Sequence, residues 1–89
     1  MVRRQVIVHG QVQGVGFRYT AKQRAERLGL SGYTRNLPDG SVEVDIEGTE
    51  TAVAAMLEWL DGGPMAAEVS SLVVTELEPI GRPGFEIRT

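Results

Sequence analysis

The chain has 89 residues, 42% of them hydrophobic and 24% charged, with no cysteine and one histidine. That length supports one two-layer core over residues 1–89, and the composition excludes a disulfide framework, a thiolate nucleophile and metal sites built on cysteines or clustered histidines. Net charge is −3 but unevenly spread: residues 1–36 carry seven Lys and Arg against one acid, and residues 37–89 carry two arginines against eleven acids. The positive N-terminal third points to an anionic ligand handled there, and the acidic remainder disfavours a long polyanion.

In chain order, Gln5 to Gly10 alternates, with Val6 and Val8 on one face and Gln5, Ile7 and His9 on the other, as a half-buried strand does. A glycine-rich connection, Gly10 to Gly16, follows. Apolar residues then recur at Phe17, Ala21, Ala25 and Leu28, one face of a helix, and Gly29 stands where a left-handed cap belongs. A short strand over Leu30 to Leu37 runs into the turn signal Pro38-Asp39-Gly40. Beyond it Val42, Val44 and Ile46 alternate with Glu43, Asp45 and Glu47, so this hairpin is expected to put its valines on the core and its acids in water.

Thr49 is the expected N-cap of a second helix with the stripe Val53, Met56, Leu57 and Leu60, Trp59 at its flank, and Gly62-Gly63-Pro64 as its stop. A strand from Glu68 to Glu78 is interrupted at Ser70-Ser71. Phe85 and Ile87 form a short terminal strand. The order β-α-β-β-α-β plus a last strand makes an α+β, ferredoxin-like two-layer sandwich the economical packing, with both helices on one face of an antiparallel sheet. That architecture does not fix function. The longest apolar run, Ala52 to Leu57, is six residues, against roughly 18 for a bilayer span. Nothing at the start has the length of a signal-peptide core. A cytoplasmic protein without membrane attachment is expected.

Three glycines in a loop that feeds a helix N-terminus offer unpaired N–H groups and the positive end of a dipole, an anion cradle. Arg18 stands in the first helical turn, where a cation is unfavourable for the dipole unless an anion compensates it. Its guanidinium can bond two oxygens of such an anion at once. A Walker A loop would require Lys-Ser/Thr after Gly16, where Phe17-Arg18 stands, and a dinucleotide fingerprint would require glycine at Tyr19.

GQVQGVGFR, residues 10 to 18, and GYTRNLPDGSVEV, residues 32 to 44, resemble the two signature segments of the acylphosphatase family, in order and at the family's separation. Gly48, Trp59-Leu60 and Gly63-Pro64 extend the resemblance along the chain. Thr34 departs from it, standing where the family usually has a small apolar residue, and a local packing change is expected there. The resemblance implies hydrolysis of the carboxyl–phosphate anhydride of small acyl phosphates. The phosphoryl group would be held by the backbone amides of Gln13, Gly14, Val15, Gly16 and Phe17 and by Arg18, with water positioned by Asn36. It implies neither metal nor cofactor, with inorganic phosphate as product and inhibitor. A monomer is the expected state.

Other readings of these residues are structural. Asn36 beside a turn is a common turn former, Arg35 points away from Asn36 to solvent or a neighbouring acid, and His9 reads as structural. Trp59 belongs to the core or its edge, and Glu43, Asp45 and Glu47 form a solvated strand face. An RNA-recognition module shares the element order but stacks bases on aromatic residues of its central strands, and the first and third strands here have none. No nucleic-acid partner is expected. A non-catalytic phosphate-binding module, or a regulatory domain like those inside hydrogenase-maturation proteins, is the remaining alternative.

Overall fold

The alternating and 3.6-residue patterns translate into seven elements in the computed structural model, which describes residues 1–62 and 67–89. They are β1 (Val2–Gln11), α1 (Phe17–Arg27), β2 (Ser31–Asn36), β3 (Val42–Gly48), α2 (Glu50–Asp61), β4 (Glu68–Leu77) and β5 (Phe85–Arg88). The strands form one sheet in the order β4-β1-β3-β2-β5. β1, β3, β2 and β4 pair antiparallel. β5 lies parallel to β2, with Gly32 opposite Phe85, so the sheet is mixed rather than wholly antiparallel. β1 is longer than its alternating core because Val2 pairs with β3 and the charged Arg3 and Arg4 pair with both β3 and β4.

Val6, Val8, Val42, Val44 and Ile46 are all fully buried on one sheet face. Both helices pack against that face, adding Phe17, Ala21 and Ala25 from α1 and Val53, Met56 and Leu60 from α2. Gly29 takes φ 71° just past α1, and Thr49 Oγ1 accepts the Ala52 N–H at 3.1 Å, capping α2 as its sequence required. Gly62 caps the far end of α2; Gly63 and Pro64 of the expected stop lie outside the described residues. The interruption at Ser70-Ser71 is a β-bulge: His9 pairs with Ser71 and Gly10 with Val69, leaving Ser70 as the extra residue.

The acidic row of β3 is not solvated. Glu43, Asp45 and Glu47 are 3%, 2% and 5% exposed, on the face away from the helices. Carboxylates are buried at this level only when charge and hydrogen bonds compensate their lost hydration, and each acid here has its own compensation. Arg3 forks onto Asp45, Nε to Oδ1 at 3.1 Å and Nη2 to Oδ2 at 2.8 Å. Glu43 accepts from Gln5 Nε2 at 2.7 Å, from the Tyr33 hydroxyl at 3.0 Å and from Arg35 Nε. Arg35 therefore pairs with an acid, one of its two expected alternatives. Burial and the Glu43 carboxylate push the Tyr33 phenol above its ordinary value.

Glu47 accepts the backbone N–H groups of Ile80 at 3.0 Å and Gly81 at 2.8 Å. Those bonds hold its carboxyl below the ordinary value, aided by the charges of Arg3 and Arg82. They also pin a strap. β4 and β5 lie at opposite edges of the sheet, so residues 78–84 must cross it. The strap passes β1 where Arg3 Nη1 meets the Glu78 carbonyl at 3.3 Å, β3 at Glu47, and β2 where the Gly32 N–H meets the Gly84 carbonyl at 2.9 Å. Arg82 and Arg88 lie over the Tyr33 ring at 5.4 and 4.0 Å, closing the same face.

Candidate active site

The loop between β1 and α1 is anchored at both ends by apolar side chains: Val12 is 1% exposed and Phe17 3%. Between them Gly14 and Gly16 take φ 78° and 74°. A Cβ would meet nothing within 4 Å at either position. Glycine is required there by the left-handed backbone rather than by space. The first intrahelical bond of α1 runs from the Thr20 N–H to the Gly16 carbonyl at 3.1 Å. The amides of Phe17, Arg18 and Tyr19 precede it and have no intrahelical acceptor, and the first turn contains no acidic residue. The loop thus presents donors and the positive end of the helix dipole, with no carboxylate in that turn to compete for them.

Arg18 and Asn36 arrive from different elements, the first turn of α1 and the last residue of β2. Both line one open hollow of about 190 Å³ with Gly14 and Gly16. Val12, Phe17, Tyr19 and Ile87 supply its apolar lining. The Arg18 guanidinium is steered by the far end of the chain: Nη1 donates to the Arg88 carbonyl of β5 at 3.2 Å. Asn36 is fixed through its neighbours. Gln13 Nε2 donates to the carbonyls of Leu37 at 2.9 Å and Ser41 at 2.8 Å, tying the glycine loop to the β2–β3 turn. That turn is also braced by Asp39, whose carboxylate accepts the Ser41 N–H at 2.9 Å and the Ser41 hydroxyl. Those bonds hold the Asp39 carboxyl below its ordinary value.

Of the site residues expected from the sequence, Gly14, Gly16, Phe17, Arg18 and Asn36 share the hollow. The Val15 side chain packs against the core, which leaves its amide free for the expected role. The Gln13 side chain faces the β2–β3 turn as a brace, a contribution that its expected amide role did not include. The sequence reading also missed the Arg88 carbonyl, Tyr19 and Ile87. The short terminal strand expected at Phe85 and Ile87 carried no sign of which element it would meet. His9 is half-buried in β1 opposite Ser71. Thr34, two residues before Asn36 on the same side of β2, is fully buried, and its hydroxyl has no hydrogen-bond partner among the described residues. Among the described residues no three His, Asp or Glu side chains converge to hold a metal ion, and no helix is long and apolar enough to cross a membrane.

These features coincide with a known family. A model of the acylphosphatase family matches residues 4–87. An acylphosphatase of Anaeromyxobacter dehalogenans is 48% identical over 88 residues, covering 98% of this chain and 95% of that protein. The crystal structure of acylphosphatase from Bacillus subtilis superposes with a TM-score of 0.95 at 37% identity, covering 100% of each chain. The fold also recurs within a larger protein, the crystal structure of T. kodakarensis HypF, with a TM-score of 0.85 at 32% identity. There it covers 100% of this chain and 12% of that one. With a family model across residues 4–87 and a relative matched along nearly the whole length of both chains, the chain belongs to the acylphosphatase family, enzymes that hydrolyse acyl phosphates.

Proposed function

We propose that this chain hydrolyses acyl phosphates by attack of water on phosphorus, with Arg18 and the amides of residues 13–17 holding the phosphoryl group and Asn36 positioning the water. The observation that carries this reading is the convergence of Arg18, Asn36 and the two left-handed glycines on one hollow. Phosphoryl transfer asks for charge stabilisation over the equatorial oxygens and an aligned nucleophile. A guanidinium and a row of fixed N–H donors provide the first. The Asn36 amide provides the second, accepting from or donating to a water in line with the scissile bond.

The step balances without further groups. The water oxygen forms a bond to phosphorus, the bond from phosphorus to the bridging oxygen breaks, and the carboxylate departs with the electron pair. Its conjugate acid has a pKa of about 4, so no general acid is needed at neutral pH. The proton of the attacking water goes to a phosphoryl oxygen.

The test is hydrolysis of benzoyl phosphate in the presence of EDTA by the parent chain, Arg18→Ala and Asn36→Ala. Arg18→Ala is expected to lose both turnover and competitive inhibition by inorganic phosphate. Asn36→Ala is expected to lose on the order of 10²-fold or more in kcat, about 3 kcal/mol of transition-state stabilisation, and to keep phosphate inhibition. Undiminished phosphate inhibition in Arg18→Ala would remove that residue from the anion site. No turnover by the folded parent chain would leave a phosphate-binding module.

A further inference from the structure

The phosphoryl cradle uses the polar side of the hollow, and nothing in that chemistry explains its other side. Tyr19 is 56% exposed and Ile87 42%, two of six large apolar side chains exposed among the described residues, and both line the same hollow as Arg18 and Asn36. A single exposed apolar residue is ordinary. Two of them flanking an anion site are not accounted for by folding, because each would be better solvated as a polar residue. Their placement follows from a bond already described. Tyr19 follows Arg18 in α1 and Ile87 precedes Arg88 in β5, so the contact from Arg18 Nη1 to the Arg88 carbonyl at 3.2 Å also draws these two neighbours to one mouth.

Resting on the hydrolase reading above, we infer that Tyr19 and Ile87 form the acyl-binding rim and that the substrates taken best are acyl phosphates whose acyl group is apolar, aromatic or branched aliphatic. With the phosphoryl group against Arg18 and the loop amides, the acyl carbon skeleton has to leave the hollow past this rim. Val12 and Phe17, nearly fully buried beneath it, continue the apolar lining inward. The hollow, about 190 Å³, is smaller than the roughly 300–1,000 Å³ of pockets that enclose a whole ligand. It takes in the phosphoryl group and the first atoms of the acyl group. The remainder lies across the Tyr19 ring and the Ile87 side chain, so selection is for an apolar surface and not for a particular shape. A second carboxylate at that position would be set against hydrocarbon and lose hydration without a partner.

The experiment compares benzoyl phosphate with acetyl phosphate on the parent chain, Tyr19→Ala, Tyr19→Phe and Ile87→Ser, with inhibition by inorganic phosphate measured on each. The ratio of the KM for acetyl phosphate to that for benzoyl phosphate is expected to fall about 5-fold to 10-fold in Tyr19→Ala, the scale of a lost apolar contact in a half-open site. A smaller fall in the same direction is expected for Ile87→Ser, and Tyr19→Phe should restore the parent ratio. Both side chains are exposed and alanine suits a helix, so Tyr19→Ala retains the fold. Equal changes for the two substrates, or a phosphate inhibition constant that moves with the KM, would overturn the rim while leaving the hydrolase intact. Absence of turnover of both substrates by the parent chain would overturn the hydrolase reading, and the rim with it.

Discussion

The two faces of β3 are buried to nearly the same extent by different means. Val42, Val44 and Ile46 are fully covered on the helix side, while Glu43, Asp45 and Glu47 on the reverse are 3%, 2% and 5% exposed with no helix of the described residues over them. On the first face, burial removes hydrocarbon from water and is favourable in itself. On the second, burial is a cost that arginines, a tyrosine, a glutamine and the N–H groups of the strap must offset one by one. A central strand with helices on one side only can still be dry on both, provided that its other side carries a complete set of partners.

The comparison would be broken most directly by stability measurements on one residue from each face. Ile46→Ala is expected to cost about 3 to 4 kcal/mol in denaturant unfolding, the ordinary loss for an aliphatic side chain at a site that cannot collapse. Glu43→Gln should cost about 2 kcal/mol, because an amide cannot accept from Gln5, Tyr33 and Arg35 together. If Glu43→Gln is neutral, the charged face contributes only shape and the contrast fails.

Acid titration sharpens it. Glu47 has a folded-state value below its ordinary 4.5, first because of the Ile80 and Gly81 N–H groups. Its contribution is therefore present above about pH 4.5 and is lost as pH falls through the depressed folded value. Unfolding midpoints measured from about pH 6 downwards should decline less steeply in Glu47→Gln than in the parent chain. An identical slope would show that the strap is not held by that charge.

The smallest effect belongs to the helix-facing side of the neighbouring strand. Thr34 is fully buried there with an unpartnered hydroxyl, and Thr34→Val should raise stability by about 1 kcal/mol. Destabilisation instead would mean that the hydroxyl has an acceptor, and that this departure from the family pattern is compensated locally.

The same contrast explains what could be read from the sequence. Alternation in β3 states that its two faces differ, and the apolar face follows from it because helix stripes are also visible. What covers the acidic face is not periodic. Arg3 is 42 positions from Asp45, and Ile80 is 33 from Glu47, so no local pattern joins them. Caps were legible because they are local: Gly29 and Thr49 depend on residues within a few positions. The bulge at Ser70 was legible only as a break in the alternation of its own strand, since its partners His9 and Gly10 lie about 60 positions away. The parallel pairing of β5 with β2 was not, since the strap that delivers it has no sequence signature of its direction. At the site, the glycines and Arg18 already suggested an anion cradle by physical argument. Asn36 read locally as a turn residue, and its expected role came from the family resemblance. The Gln13 brace and the Arg88 carbonyl were illegible because both act across elements, through atoms whose neighbours only the fold determines.

The contact between Arg18 and Arg88 spans 70 positions of sequence, and β5 reaches its place only after the strap has crossed the sheet. β5 is only four residues long and hangs on the sheet edge beside β2. The direction in which the Arg18 guanidinium points is thus tied to the last strand of the chain, and through it to the crossing segment that delivers that strand. Loosening the segment would release the arginine while the helix-covered interior, which contains no residue of that segment, stays packed.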